Sequence, residues 1–202
     1  MYSQYGEDEK IFKYINKKDE GLYIDIGAGQ PDNISNTYML YQMGWKGLLI
    51  EPSPILTPKL KEKRPKDIIY EGAILDYVGT VKLFSKEMYG ITSRSYIYHS
   101  HIAKAKKDGF KEQYWEVSCT TLAELLKLYP QFNETDFISI DVDGNEDVVL
   151  ASVNFETFKP KLLLIEYILR GQDQRHRWEH FLSPYYDLVD SETSNAFYRR
   201  KV

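Results

Sequence analysis

Short apolar runs recur along this chain with helix-length intervals between them, and no other feature restricts the fold as much. The runs are Leu22–Ile26, Gly47–Ile50, Asp67–Tyr70, Phe137–Val142 and Lys161–Tyr167. Several are apolar at nearly every position, the pattern of central strands covered on both faces. Strands alternating with helices predict an α/β fold, a doubly wound and mostly parallel sheet. Between the first two runs, Ser35-Asn36-Thr37 is placed to cap a helix carrying Tyr38, Leu40 and Tyr41, and Gly44 to end it. Asn145 is expected to cap a helix over Glu146–Ser152, and Thr120-Thr121 to precede one over Leu122–Tyr129 that stops at Pro130. The C-terminus breaks the rhythm. Tyr185–Val189 and Ala196–Lys201 read as two strands joined by the polar turn Asp190–Asn195, an antiparallel hairpin closing the parallel sheet.

At 202 residues the chain suffices for one domain over 1–202 with a full hydrophobic core. One stretch, about 85–115, follows the strand-like Thr80–Phe84 and lies outside the α/β rhythm; a segment of that length in a compact domain is expected to recognise substrate. The net charge of -4 gives no polyanion-binding surface, so no nucleic-acid partner is expected. The single cysteine, Cys119, excludes an internal disulfide and argues for a reducing compartment. No run approaches the ~18 apolar residues of a spanning helix, and Met1–Glu7 lacks a basic-then-apolar signal. A cytoplasmic protein with no membrane span is the expectation, its oligomeric state unread and a homodimer left open. The 17 Tyr suit either the walls of a polar-ligand pocket or ordinary core packing.

In Tyr23-Ile24-Asp25-Ile26-Gly27-Ala28-Gly29 a strand runs straight into small residues, which lets the backbone turn sharply beside a ligand. Glu51 lies 22 positions after Gly29, at the end of the next strand. An acid about 20 positions on is the ribose-binding signal of nucleotide-binding α/β folds. A dinucleotide fingerprint needs a third glycine, where this chain has Asp32. A carboxylate there repels a pyrophosphate on a helix N-terminus. S-adenosylmethionine has no phosphate and carries a sulfonium and an ammonium, so acidic neighbours favour it as cofactor over NAD.

A second acidic cluster, Asp141-Val142-Asp143-Gly144-Asn145-Glu146, ends the fourth run, and Glu166 lies in the fifth. Ligands of open α/β sheets sit beyond the carboxyl ends of the strands. Asp141 is therefore the candidate catalytic base for a hydroxyl acceptor. Alternatively Asp141, Asp143 and Glu166 hold a divalent cation, Mg²⁺ or Mn²⁺ by their oxygen-only chemistry, that acidifies and orients the hydroxyl. His99, close to His101, is a second candidate base, with metal ligation and a surface role as the alternatives. Lys86, Arg94, Lys104, Lys106, Lys107 and Lys111 give the 85–115 segment a positive excess suited to an anionic acceptor, or to a solvated helix face. Arg170, Arg175, His176 and Arg177 form a second such candidate wall.

Taken together, Ser3-Gln4-Tyr5-Gly6-Glu7-Asp8, Asp25-Ile26-Gly27-Ala28, Ser35-Asn36-Thr37, Gly44-Trp45-Lys46-Gly47-Leu48-Leu49-Ile50-Glu51-Pro52, Phe137–Glu146 and Leu163-Leu164-Ile165-Glu166 resemble the FkbM family of methyltransferases. The resemblance runs from about Ser3 to Tyr167. It implies a Rossmann-like class I methyltransferase fold, a seven-stranded sheet whose last strand is antiparallel, in agreement with the hairpin read from patterning. It also implies S-adenosylmethionine-dependent O-methylation of a small polar hydroxyl acceptor such as a sugar or a nucleotide-linked or phosphorylated carbohydrate. Amine, phosphoryl, lipid and protein acceptors, and a cofactor-binding domain without catalysis, are the alternatives. By resemblance Asp25, Gly27 and Gly29 line the cofactor's methionine end, Glu51 binds its ribose, and Glu71-Gly72-Ala73-Ile74 meets its adenine. Gln4, Tyr5 and Gly6 close over it. Asn36, Pro52 and Asp141, within the matching motifs, complete the expected cofactor-binding set. Some sugar O-methyltransferases of this fold use a divalent ion, which the resemblance leaves open here.

Overall fold

The computed structural model describes residues 1–16, 19–85, 95–97, 114–191 and 193–202. In chain order the strands begin with β1 (Leu22–Ile26), β2 (Lys46–Glu51), β3 (Ile68–Glu71), β4 (Ala73–Ile74), β5 (Gly79–Ser85), β6 (Ser95–Ile97) and β7 (Trp115–Thr120). They continue with β8 (Phe137–Ile140), β9 (Leu162–Glu166), β10 (Ile168–Leu169), β11 (Gln172–Asp173), β12 (Tyr186–Asp190) and β13 (Asn195–Arg200). The described α-helices are α1 (Glu7–Tyr14), α2 (Tyr38–Gln42), α3 (Leu56–Lys63), α4 (Leu122–Leu128), α5 (Glu146–Ala151) and α6 (Glu179–Leu182).

Seven strands form the main sheet in the order β12-β13-β9-β8-β1-β2-β3. Pairing is parallel from β3 to β9, and β13 runs antiparallel to both β9 and β12. The mostly parallel sheet and its terminal hairpin are thus as expected. Alternate residues of each strand feed opposite layers. Ile24, Ile26, Ile138 and Ile140 pack with Leu125, Val149 and Trp178, burying that face under α4, α5 and the segment before α6. Tyr23, Leu49, Phe137 and Leu164 pack with Ile11, Leu40 and Leu60 from α1, α2 and α3.

Local chemistry sets the helix ends. Ser35 Oγ accepts from the N–H groups of Thr37 and Tyr38, 3.4 and 3.2 Å away, at the start of α2. Gly44, at φ +92°, follows its end. Thr121 Oγ1 accepts from the Glu124 N–H at 3.1 Å and starts α4. Asn145 occupies the cap position of α5 without a side-chain bond. There Glu146 folds back instead, its Oε1 accepting from the N–H groups of Val142 and Gly144, both at 3.1 Å.

A second sheet, in the order β4-β7-β5-β6, flanks the first; of its strands only Thr80–Phe84, within β5, is legible in the sequence. It sets Leu83 beside the carboxyl ends of the main sheet, where Leu83 helps to line the cleft described below. Of the 85–115 stretch, most residues lie outside those described, including His99, His101 and the lysines assigned to a basic wall. Among the described residues no helix is long and apolar enough to cross a membrane.

Candidate active site

Register builds the site. Ile26 pairs with Ile50 on one side and Ile140 on the other, and Ile140 pairs with Ile165. One row of isoleucines therefore crosses the four central strands. The next residue in each is Glu51, Gly27, Asp141 and Glu166, so the parallel sheet aligns three carboxylates and a glycine turn at its carboxyl edge. The chain leaves β1 outward to β2 and β3, then returns to β8 on β1's other side. That reversal opens a crevice at the strand ends, where doubly wound sheets hold ligands.

Gly27, at φ +82°, lies so close to β8 that a Cβ on it would stand 1.9 Å from the Asp141 carbonyl oxygen. Its N–H and that of Ala28 both donate to the Ile50 carbonyl, at 2.9 and 3.1 Å. The N–H of Gly29, at φ +61°, donates to Glu51 Oε2 at 2.9 Å. Glu51 Oε1 accepts from the Ser53 N–H at 2.8 Å, which anchors this 4% exposed carboxylate from both sides. The Gly72 N–H donates to the Glu51 carbonyl at 3.2 Å and brings Ala73 alongside.

The cleft is lined by the turn Gly27–Gln30, by Glu51 and Pro52, by Gly72–Ile74, by Asp141–Asp143, by Glu166 and by Gln4 from the N-terminal segment. Its described lining carries the carboxylates of Glu51, Asp141, Asp143 and Glu166 and no Lys, Arg or His. Such a lining repels a pyrophosphate and attracts a cationic ligand. A sulfonium with an ammonium fits these carboxylates, and Glu51 is the lining residue that would accept from a ribose hydroxyl.

Asp141 opens into the cleft yet is crowded by protein. Loss of water there, and then the charges of Glu166, Asp143 and Glu146, hold its carboxyl well above the ordinary range. Hydrogen bonding with the neighbouring Glu166 carboxyl adds to the rise. Burial pushes Glu146 up to about 7 against the N–H groups of Gly144 and Val142, which favour its charged form.

Carboxylate oxygens of Asp141, Glu146 and Glu166 lie within 4.8 Å of one another. The expected metal-ligating set of Asp141, Asp143 and Glu166 is thus not the one brought together. Asp143 and Gly144 take left-handed conformations, φ 54° and 105°, and this turn lets Glu146 fold back into the place assigned to Asp143.

Several expected cofactor contacts fall elsewhere. Asp25 precedes Ile26 by one residue and so faces the opposite layer, buried and accepting from Thr37 Oγ1 at 2.6 Å. There Arg64, fully buried, donates to Asp67, Tyr23 and Thr37 at 2.8, 2.6 and 3.0 Å. Asn36 donates to Ser139 Oγ at 3.1 Å and does not line the cleft. Tyr5 is 52% exposed, with its hydroxyl accepting from Gln4 Nε2, and Gly6 caps α1 at φ +80°. Of that trio only Gln4 reaches the cleft. Asp32 pairs with Lys63 at 3.4 Å outside it, so the repulsion of phosphate comes from the other acids.

The second basic wall is largely engaged. Arg177 donates to Asp147 Oδ1 at 2.6 Å and to the Gly144 carbonyl at 3.0 Å, bracing the Asp141–Asn145 loop. Arg175 binds Asp173 through Nε at 2.9 Å, while Arg170 and His176 are exposed. Sequence reasoning missed Gln30, Asn33, Ile34, Leu56 and Leu83 as lining residues. Only the place of Gln30, Asn33 and Ile34 just after the glycine turn signalled any of them.

Among solved structures, a TehB-like SAM-dependent methyltransferase from Corynebacterium glutamicum superposes with a TM-score of 0.53 at 11% identity, over 98% of this chain and 89% of that one. A methyltransferase from Geobacter sulfurreducens gives 0.52 at 10% identity, over 99% and 81%. These likenesses establish the Rossmann-like class I methyltransferase fold. A search of curated protein sequences found no match. The family model of the methyltransferase FkbM domain matches residues 25–195. With the acid-lined cleft at its sheet edge, the chain belongs to the FkbM methyltransferase family and is an S-adenosylmethionine-dependent methyltransferase.

Proposed function

We propose that the enzyme methylates a hydroxyl of a small, polar, polyhydroxylated acceptor such as a sugar. The observation that carries this reading is Asp141, which opens into the cleft with a proton affinity raised by crowding and by Glu166. A carboxylate of raised pKa is a better proton acceptor, which is what a hydroxyl nucleophile requires. Bound S-adenosylmethionine supplies the methyl group. Glu51 and the Gly29 turn hold the donor, and Asp141 receives the proton as the acceptor oxygen attacks. Holding donor and acceptor in line contributes much of the rate.

Acids on the described lining favour a neutral acceptor over an anionic one beside Asp141. A phosphate on the acceptor would have to lie away from Asp141 and Glu166; we assign acceptor selection to the 85–115 segment, whose sequence is rich in lysine. In this reading residues 1–202 act as one methyltransferase domain in the cytoplasm, consistent with the lone buried Cys119. Transfer from labelled S-adenosylmethionine to a panel of free sugars, nucleotide sugars, glycans and phosphorylated metabolites tests the assignment. An O-methyl ether on a neutral hydroxyl compound supports it; transfer solely to amines or phosphates refutes it.

The oxygen-only donors Asp141 and Glu166 also suit a divalent cation such as Mg²⁺ or Mn²⁺, which would lower the pKa of a bound hydroxyl. Glu146 already spends one oxygen on two backbone N–H groups, so it would contribute its other oxygen. Full activity after exhaustive chelation removes this branch.

A further inference from the structure

Among the described residues four that are not glycine have positive φ: Asn16, Ile34, Asp143 and Arg170. Asparagine and aspartate tolerate the left-handed region. Arg170 with Gly171 forms the two-residue turn joining β10 to β11, where the hairpin geometry demands it. Ile34 has neither excuse. It is β-branched, the residue class for which φ +54° is most strained, and no hairpin requires that conformation.

Packing within the protein does not account for it either. Ile34 is 58% exposed, whereas the apolar cleft residues Ile26, Ile50, Leu56 and Ile74 are no more than 7% exposed. The loop is nonetheless fixed by the two residues that directly follow the strained one. The Ser35 N–H donates to the Tyr2 carbonyl at 3.0 Å, and Asn36 Nδ2 donates to Ser139 Oγ at 3.1 Å. These bonds hold an uncovered isoleucine at the cleft rim, five positions beyond Gly29 and on the same wall as Gln30, Asn33 and Gln4.

We propose that Ile34 is a cofactor-binding residue whose side chain covers the aliphatic methionine portion of S-adenosylmethionine beside the glycine turn. The polar acids then serve the charged and hydroxyl groups of the donor, and Ile34 serves the methylene chain between them. Strain at a rim residue persists when the surroundings over-determine it, and here the tethers at Ser35 and Asn36 do so. The inference rests on the donor site and is independent of the acceptor.

Calorimetric titration of S-adenosylmethionine and S-adenosylhomocysteine into wild type, Ile34→Val, Ile34→Asn and Ile34→Gly tests it, with the ligand-free melting temperature of each. Ile34→Val keeps the branched apolar side chain and is expected to bind within about twofold of wild type. The Asn and Gly variants lose the apolar cover and are expected to bind both ligands about tenfold more weakly, the effect of leaving much of an isoleucine contact unmade. Because asparagine accepts the left-handed conformation, Ile34→Asn is expected to melt no lower than wild type without ligand. Unchanged affinity in the Asn and Gly variants would overturn the proposal. So would a ligand-free Ile34→Asn that melts several degrees lower, since the side chain would then be packing against the protein itself. Wild type that binds neither ligand would overturn the donor site as a whole, a result distinct from either of these.

Discussion

Gly29 and Glu51, 22 residues apart in sequence, are joined directly: the Gly29 N–H donates to Glu51 Oε2 at 2.9 Å. The bond couples the turn after β1 to the end of β2 and leaves the acid facing the cleft. Glu51→Gln keeps one acceptor but sets an NH₂ group against either the Gly29 or the Ser53 N–H. Affinity for S-adenosylmethionine should fall about tenfold or more, since a hydrogen bond to a charged group contributes about 1.5–3 kcal/mol. Equilibrium titration reads this directly.

Gly27→Ala tests the closeness of β1 and β8. An added Cβ would lie 1.9 Å from the Asp141 carbonyl, against backbone that has no side chain to move. The expected cost is about 3 kcal/mol or more, a melting temperature lower by roughly 10 °C. An unchanged melting temperature would mean that the strand ends separate at no cost.

Asp141→Asn should abolish turnover while leaving cofactor affinity within a few fold. Because the carboxyl's proton affinity is raised, its base form becomes populated only above the ordinary carboxylate range. The wild-type rate should therefore climb with pH through that raised value. Any residual activity of Asp141→Asn should lack this acid limb, which a kcat/KM profile against pH resolves.

Asp25 makes a separate, structural prediction. Burial raises its pKa in the folded state, while Arg64 and the Thr37 hydroxyl oppose the rise. A carboxyl of raised folded pKa stabilises the fold most below its unfolded pKa, and this contribution is lost as pH rises through the folded value. Asp25→Asn keeps an acceptor for Thr37 and removes the titration. Denaturant unfolding across pH should give a flatter stability curve for Asp25→Asn than for wild type, with cofactor affinity little changed because Asp25 does not line the cleft.

Much of the fold was legible because strands buried on both faces leave an almost uninterrupted apolar record, as in Leu48-Leu49-Ile50 and Leu162–Ile165. Glu51, Gly27, Gly29 and Asp141 were legible because each sits where such a run stops. Strand ends are where an open sheet meets its ligand. Strand β4 has two residues, too few for any periodicity, so the second sheet went unseen as a unit. Arg64 follows a lysine-rich helix, with no apolar run around it to signal burial. Its burial depends on Tyr23, Thr37 and Asp67 from three other places in the chain. Asp25 was expected at the cofactor from family likeness alone, whereas strand parity places a residue beside Ile26 toward the other layer, where it accepts from Thr37. Glu146 was seen as a helix-start acid, and only the left-handed turn at Asp143 and Gly144 brings it to Asp141 and Glu166.

Parallel calorimetric titrations of the wild-type protein with S-adenosylmethionine and with NAD test the central claim most directly. An acid-lined cleft anchored on Glu51 predicts saturable binding of S-adenosylmethionine and none of NAD, whose pyrophosphate would meet Asp141, Asp143 and Glu166. Binding of NAD without binding of S-adenosylmethionine would contradict the account.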